Sequence, residues 1–255
     1  MTVKKVLYND NGGVYKSSDI LSVLAMSVNN KNLIGNSKGV YYYNVPCSFD
    51  IETTSFYRDE AGCQYSYEQL KRLQGQTGKK IKLEKVATMY VWQWGINGNV
   101  IVGRTWSEFV DMMQTVVETL GLNEKRRLIC YVHNLAYEFQ FIRERFTWNK
   151  VFSIDLRKPI YAITNTFIEF RCSYLLSGYG LGKLGSQLLK YKVEKKTGDL
   201  DYQLIRHSGT PLTDLEMGYC VNDVKVVMAY IQEKIEVVKG ITNLLLTKTG
   251  SVRKY

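Results

Sequence analysis

Apolar and polar residues alternate along this chain with two different periods, which predict strands and helices in turn. Residues 85–96 alternate apolar and polar, which is typical of a strand, and the Asn-Gly pair at 97–98 predicts a hairpin turn into a second strand at 100–102. A capping box at 105–108 then precedes a stripe of apolar residues at helical spacing over 109–120. The pattern therefore predicts a hairpin followed by a helix.

The rest of the chain continues this alternation. The other predicted elements are an irregular polar loop at 57–82, a buried strand at 128–132, a helix through 134–146, strands near 151–155 and 167–173, and a long helix over 213–240. Residues 1–44 are polar apart from one apolar patch at 20–28, and we interpret them as an N-terminal arm. The order of elements predicts an α/β protein with an antiparallel hairpin in a mixed sheet.

Composition narrows the class of protein without identifying a function. The 255 residues are 45% hydrophobic and 23% charged, which is an ordinary globular balance. No apolar run approaches the roughly 20 residues of a membrane span, and the first residues lack the apolar core of a signal peptide. The five cysteines are scattered with no C-x-x-C pair, which favours reduced core residues over disulfides or a zinc site. We therefore expect a cytoplasmic protein that has no membrane partner.

The chain is strongly basic, with a net charge of +10, and it contains 19 tyrosines. Clustered Lys and Arg neutralise phosphates, and aromatic rings stack on unpaired bases, so the composition favours a nucleic acid as partner. The alternative is a basic surface and half-buried tyrosines that have no specific ligand.

Asp50 and Glu52 form the most informative pair. Alternate residues of a strand share a face, so both carboxylates project to the same side of the strand that also carries Phe49 and Ile51. Adjacent carboxylates repel each other, and their burial is costly unless a cation offsets their charge. The pair therefore indicates a divalent metal site.

Two further acids, Glu138 and Asp223, extend this hypothesis. Glu138 lies one turn into a predicted helix, and Asp223 lies among valines four residues after Tyr219, on one helical face. Each has an ordinary alternative, since Glu138 could be a solvated acid and Asp223 could pair with a lysine. Together with the strand pair, four oxygen-donor side chains could hold two Mg²⁺ or Mn²⁺ ions for phosphoryl transfer.

The same residues carry a resemblance to a known family. Segments 48–53, 131–138 and 219–223 are similar, in order and spacing, to the three exonuclease motifs of family B DNA polymerases, above all the protein-primed type of bacteriophages and linear plasmids. Segments 170–175, 198–202 and 246–253 also resemble that subgroup, so the likeness covers roughly residues 45–255. It implies an RNase H-like mixed sheet flanked by helices and a proofreading 3′–5′ exonuclease.

The resemblance also implies roles for individual residues. The metal ligands would be Asp50, Glu52, Glu138 and Asp223, and Tyr219 would orient the attacking water. The residues that would hold the 3′ end of single-stranded DNA are Thr53, Asn134, Tyr137, Ser173 and Tyr174. Family members place a lysine just before the 198–202 segment. This chain has Thr197 at that position, and we assign the role to the neighbouring Lys196.

Two departures from the family pattern leave an alternative open. The second motif usually ends in Asp but here ends in Glu138, and no polymerase motif is found before Tyr255. We expect an N-terminal arm at 1–44, an exonuclease domain at 45–240 and, at 241–255, the start of a linker toward a polymerase domain. That domain or a terminal protein would be a further partner. The alternative is a non-catalytic DNA- or protein-binding module that retains the exonuclease fold.

A third hypothesis, a dinucleotide-dependent enzyme, rests on the G-x-G-x-x-G match at 180–185. That motif requires a strand directly before it and a helix directly after it. Here it comes late in the chain, after the intervening stretch 174–179, and we expect it to open a helix instead.

Overall fold

A computed structural model describes residues 13–78, 83–193, 201 and 204–252, without side chains for 251 and 252. The described strands are β1 (Val14–Lys16), β2 (Leu33–Gly35), β3 (Tyr41–Tyr43), β4 (Cys47–Arg58), β5 (Gln64–Tyr65), β6 (Glu84–Ile96), β7 (Asn99–Gly103), β8 (Arg126–Val132), β9 (Trp148–Asp155), β10 (Lys158–Thr164) and β11 (Ile168–Cys172). The described helices are α1 (Ile20–Ser27), α2 (Tyr67–Thr77), α3 (Trp106–Leu120), α4 (Leu135–Ile142), α5 (Ser173–Ser177), α6 (Leu181–Ser186), α7 (Asp214–Val238) and α8 (Lys248–Val252).

One mixed sheet organises these elements, in the order β1-β7-β6-β4-β8-β11-β10-β9. The strand β4 lies at its centre, antiparallel to β6 and parallel to β8, and β11 continues the sheet parallel to β8. A mixed sheet with an antiparallel hairpin is the architecture that the sequence predicts, and the fold-class prediction is confirmed in this respect.

Helices cover both faces of the sheet because its central strands carry apolar residues on both sides. Phe49 of β4 and Trp92 of β6 pack with Phe109 of α3 on the first face, where the rings of Phe49 and Phe109 stack at 4.6 Å. The long helix α7 packs against β4 and β6 from the second face. A polar residue on the second face of β4 is therefore held between the sheet and α7.

Several predicted boundaries are confirmed by their caps. Thr105 caps α3 in a capping box with Glu108, and the helix ends at Gly121, whose φ of 58° is the left-handed conformation that glycine adopts readily. Thr213 caps α7 in the same way. Cys47, Cys130, Cys172 and Cys220 are buried, as predicted, whereas Cys63 is exposed.

The prediction of an irregular loop at 57–82 is wrong within its described part. The strand β4 continues to Arg58, and the helix α2 follows a capping box of Ser66 and Gln69. Only Leu70 is buried in α2, so the helix lacks the apolar stripe that makes a helix visible in a sequence. The strand β10 was also not predicted; it forms a hairpin with β9 through Arg157 at a positive φ of 62°.

The segment predicted as an N-terminal arm contributes to the main sheet. Residues Val14–Lys16 pair in parallel with β7, α1 packs against α3, and Tyr41–Tyr43 pair with the start of β8. No helix in the described part of the chain combines the length and the hydropathy that a bilayer crossing requires.

Candidate active site

The centre of the site is the polar face of β4. Phe49 and Ile51 turn into the apolar cluster shared with α3, so Asp50 and Glu52 project from the opposite face toward α7. Asp223 on α7 is 5% exposed and lies among buried valines. One carboxylate oxygen from each of Asp50, Glu52 and Asp223 lies within 4.8 Å of the others. The fold thus brings together three acids that are up to 173 residues apart in sequence.

Glu138 adds the fourth carboxyl group from the first turn of α4. It is 4% exposed, and its carboxyl lies close enough to that of Asp50 for the two groups to influence each other's ionisation. Its Oε2 has no hydrogen-bond partner among the described residues. A buried carboxylate oxygen without a donor carries a large desolvation cost, which metal coordination would remove.

Burial and mutual repulsion make these acids hard to ionise. Burial, together with the negative charges of Glu52, Glu138 and Asp223, raises the pKa of Asp50 well above its usual range. Burial also raises the pKa of Glu138 to about 8, with Glu52 adding to the effect. The all-oxygen donor set fits a hard cation such as Mg²⁺ or Mn²⁺, and such a cation would favour the ionised carboxylates.

We expect the unfolding temperature in EDTA to fall as the pH rises from about 5 to about 8. The folded chain holds protons on acids that would release them near pH 4 when unfolded, so folding loses stability as those protons leave. Mn²⁺ should raise the unfolding temperature by several degrees at pH 8 and by less at pH 5.5, since about 1 kcal/mol corresponds to about 2–4 °C in a chain of this size.

Differential scanning fluorimetry with and without Mn²⁺ measures this effect. Asp111→Asn, which neutralises an exposed acid on α3, serves as the control and should behave like the unaltered protein. An unfolding temperature that does not respond to Mn²⁺ at either pH would contradict the metal centre.

Tyr219 lies one helical turn before Asp223 on α7. Its half-buried ring packs against a small cluster formed by Tyr90, Val91 and Cys220. Since Val91 pairs with Glu52 across the sheet, the ring lies beside the strand that carries the acids. The placement is compatible with a hydroxyl that contacts a water molecule at the acidic cluster.

Two other predicted residues meet at the edge of this cluster. The hydroxyl groups of Thr53 and Tyr137 are hydrogen bonded to each other, although 84 residues separate them. A register shift between Glu52 and Thr53 in the pairing of β4 with β6 lies next to this contact. The ring of Tyr137 is 43% exposed, so it presents a flat apolar surface beside the acids.

The remaining predicted contacts lie at the carboxyl ends of the parallel strands β8 and β11. Asn134 follows β8 with a φ of 72°, a conformation that Asn tolerates better than most residues, and occupies the N-cap position of α4 without a side-chain capping hydrogen bond. Ser173 follows β11 and lies 3.0 Å from Nδ1 of His133 through its Oγ. Tyr174 meets the His133 ring edge to face at 5.9 Å. These residues form a second group adjoining the start of α4, which carries Glu138.

The sequence reasoning missed Arg206 as a structural part of this region. Its backbone N–H donates to Oγ1 of Thr54 at 3.3 Å, and its guanidinium forms a buried ion pair with Glu216 at 2.6 Å. These contacts attach the loop before α7 to the strand that carries Asp50 and Glu52. No local sequence pattern predicts these contacts, because Thr54, Arg206 and Glu216 come from three separate segments.

The lysine that we assigned to the site, Lys196, lies outside the described residues, as do Lys195 and Thr197. Of the other basic residues between the second and third motifs, Lys190 pairs with Glu236 at 2.6 Å. The ammonium of Lys183 lies 4.8 Å from the ring centre of Tyr179, and that of Lys248 lies 4.4 Å from the same ring. Two exposed cations therefore converge on one tyrosine a few residues after Tyr174.

The glycine motif at 180–185 does not lie in a dinucleotide-binding context. The helix α5 and a left-handed turn at Gly178 separate it from the end of β11, and Gly180 caps the six-residue helix α6. A phosphate-binding loop of that class joins a strand directly to a helix. The structure thus gives no support to the dinucleotide hypothesis.

Comparison with known proteins adds information on the fold. No family model matches the sequence, and a search of curated proteins finds no match. Among solved structures, phi29 DNA polymerase complexed with primer-template DNA matches 76% of this chain and 31% of its own, with 15% identity and a TM-score of 0.51. The same polymerase complexed with single-stranded DNA matches 76% of this chain and 32% of its own, with 16% identity and a TM-score of 0.49. The catalytic core of RRP6 from Trypanosoma brucei matches 98% of this chain and 54% of its own, with 10% identity and a TM-score of 0.48.

These likenesses concern the fold alone, because the identities are low. The mixed sheet flanked by helices is RNase H-like, as the family resemblance implied. The chain spans about a third of the length of the polymerase structures that it matches.

Proposed function

We propose that the chain is a metal-dependent 3′–5′ exonuclease that acts on single-stranded DNA. The observation that carries the proposal is the convergence of three carboxyl groups from β4 and α7, with that of Glu138 on α4 close to Asp50. Ordinary packing does not assemble four acids, of which Asp50 and Glu138 have raised pKa values, in one largely buried position, whereas phosphodiester hydrolysis with two cations requires such a set. The RNase H-like fold is compatible with this activity.

The chain's own residues would divide the work as follows. Asp50, Glu52, Glu138 and Asp223 would hold the cations, which supply a more acidic water and stabilise charge on the attacking and leaving oxygens. Tyr219 would orient the attacking water through its hydroxyl, and Lys196 would contact the scissile phosphate. Because the ring of Tyr137 and its bond to Thr53 flank the acids, these two residues would position the terminal nucleotide.

The DNA strand would leave the acids along the second group of residues. Asn134, Ser173 and Tyr174 border this path, and the exposed ring of Tyr174 offers a stacking surface. Beyond it, Lys183 and Lys248 at Tyr179 would contact the phosphate backbone. A single strand fits this series of exposed rings and lysines because its bases are free to stack.

We further propose that residues 45–240 correspond to the proofreading domain of a protein-primed family B DNA polymerase, with 241–255 leading toward the polymerase domain. The similarity of motif order and spacing supports this assignment. Residues 14–43 would then be an addition, of which Val14–Lys16 complete one edge of the sheet. A primer 3′ end would be the physiological substrate in that setting.

Incubation of a 5′-labelled single-stranded oligonucleotide with the protein and Mg²⁺ tests the activity. We expect a ladder of labelled products that shortens from the 3′ end and requires the cation, with mononucleotides released. Parallel RNA and double-stranded DNA substrates define the preference. Binding of the oligonucleotide without cleavage in Mg²⁺ and in Mn²⁺ would instead support the non-catalytic binding module.

A further inference from the structure

Gln93 is a buried polar residue that the proposed roles leave unexplained. It lies on β6 between Trp92 and Trp94, whose rings enter the apolar cluster on the α3 side of the sheet. Alternation along the strand therefore turns the Gln93 side chain toward α7. The residue is fully buried, and both Nε2 and Oε1 lack a hydrogen-bond partner among the described residues. Such a group is costly to bury, so it calls for a physical explanation.

The register of the sheet places Gln93 beside the acidic cluster. In the antiparallel pairing of β4 with β6, Gln93 lies directly opposite Asp50. The Cβ atoms of residues paired in this way lie about 4.5–5.5 Å apart, on the same face of the sheet. A glutamine side chain is long enough to reach from this position to the Asp50 carboxyl group.

The helix above Gln93 carries Asp223 at a similar level. Cys220 of α7 packs on Val91, and a Cβ added at Gly95 would lie 2.5 Å from Cε of Met228. The eight-residue helical step from 220 to 228 covers about 12 Å, and the four-residue strand step from 91 to 95 covers about 13 Å. The helix and the strand therefore run alongside each other, and Gln93, halfway along this strand segment, lies under the turn that contains Asp223.

We propose that Gln93 is a positioning residue for the metal centre, and this inference rests on the proposed function of the acidic cluster. Its Nε2–H group donates a hydrogen bond to the Asp50 carboxylate, and so fixes which oxygen faces the cation. The amide is suited to this task because it is neutral and donates at any pH, whereas a fifth acid or a lysine would change the charge of the site. Removal of a hydrogen-bond partner of a metal-ligating carboxylate typically lowers the metal affinity by about 10–100-fold.

The test compares Gln93→Met with the unaltered protein in two measurements. Methionine has a similar length and removes both amide atoms, so the unfolding temperature in EDTA should stay the same or rise. The dissociation constant for Mn²⁺ alone, measured by isothermal titration calorimetry, should increase by about 10–100-fold. If Gln93 served packing alone, its replacement by methionine would leave the dissociation constant for Mn²⁺ unchanged.

Thr88→Val is the matched control, because Oγ1 of Thr88 is another buried polar atom on β6 that lacks a partner among the described residues. It should bind Mn²⁺ like the unaltered protein. Gln93→Leu is the second variant, should the methionine variant fail to fold. Unaltered Mn²⁺ affinity in either folded variant overturns the role of Gln93 while the nuclease assignment stands. Absence of Mn²⁺ binding by the unaltered protein overturns both.

Discussion

Asp50→Asn and Asp223→Asn should each lower the rate of single-stranded DNA hydrolysis by at least about 10³-fold, with the chain still folded. The two side chains contribute oxygens to the same small volume, and cations held there would supply several kcal/mol of transition-state stabilisation. Each 1.36 kcal/mol corresponds to about tenfold in rate, which gives the expected magnitude. Asparagine keeps the shape of the side chain but removes a charge from a crowded set of acids.

The unfolding temperature separates this loss from a loss of structure. Because burial and like charges raise the pKa of Asp50, Asp50→Asn should unfold in EDTA at the same or a higher temperature than the unaltered protein. The double variant should be no slower than the slower single variant, since the acids act as one unit. Asp111→Asn on the exposed side of α3 is the control for both measurements.

Initial rates on a 5′-labelled oligonucleotide, followed on a denaturing gel, check the expectation. Nuclease activity that is unchanged in both single variants would remove these acids from the mechanism and would point to a contaminating nuclease or to a different site.

The sequence predicted the strand pair Asp50 and Glu52 because that inference needs only the alternation of side chains along a strand. It also predicted α3 and α7, because an apolar stripe and a capping box mark each of them. The helix α2 was missed for the opposite reason: with Leu70 as its single buried residue, it carries no such stripe. Local pattern is therefore sufficient where burial is periodic and fails where an element lies on the surface.

The meeting of distant residues could not be predicted from local pattern. Glu138 and Asp223 entered the hypothesis mainly through motif order, since nothing in their own segments excludes a solvated acid. The register that places Gln93 opposite Asp50 depends on where two long strands align, and this is set by the whole hairpin. The Thr53–Tyr137 hydrogen bond likewise depends on the parallel pairing of β4 with β8, which brings the start of α4 beside β4.

Glu138 decides between an active nuclease and a binding module that retains the fold. Burial raises the pKa of Glu138, so the neutral Glu138→Gln side chain should make the protein more stable than the unaltered chain in EDTA at pH 8. The same substitution removes one anionic ligand. We therefore expect Mn²⁺ to add little stability, and hydrolysis to fall by about 10³-fold on the grounds given for Asp50.

Glu138→Asp gives the sharper comparison, because it keeps the charge and withdraws the carboxyl by about one C–C bond, roughly 1.5 Å. The Glu138 carboxyl lies close to that of Asp50 from its present position on α4, so the shorter side chain should no longer reach it. A displacement of about 1 Å can cost about 10²-fold in rate, and we expect a loss of that size with Mn²⁺ stabilisation partly retained. Unfolding temperatures and gel-based rates measure both effects. If Glu138→Asp instead creates nuclease activity that the unaltered protein lacks, then Glu138 is the residue that prevents hydrolysis at this site. The unaltered chain would in that case be a binding module.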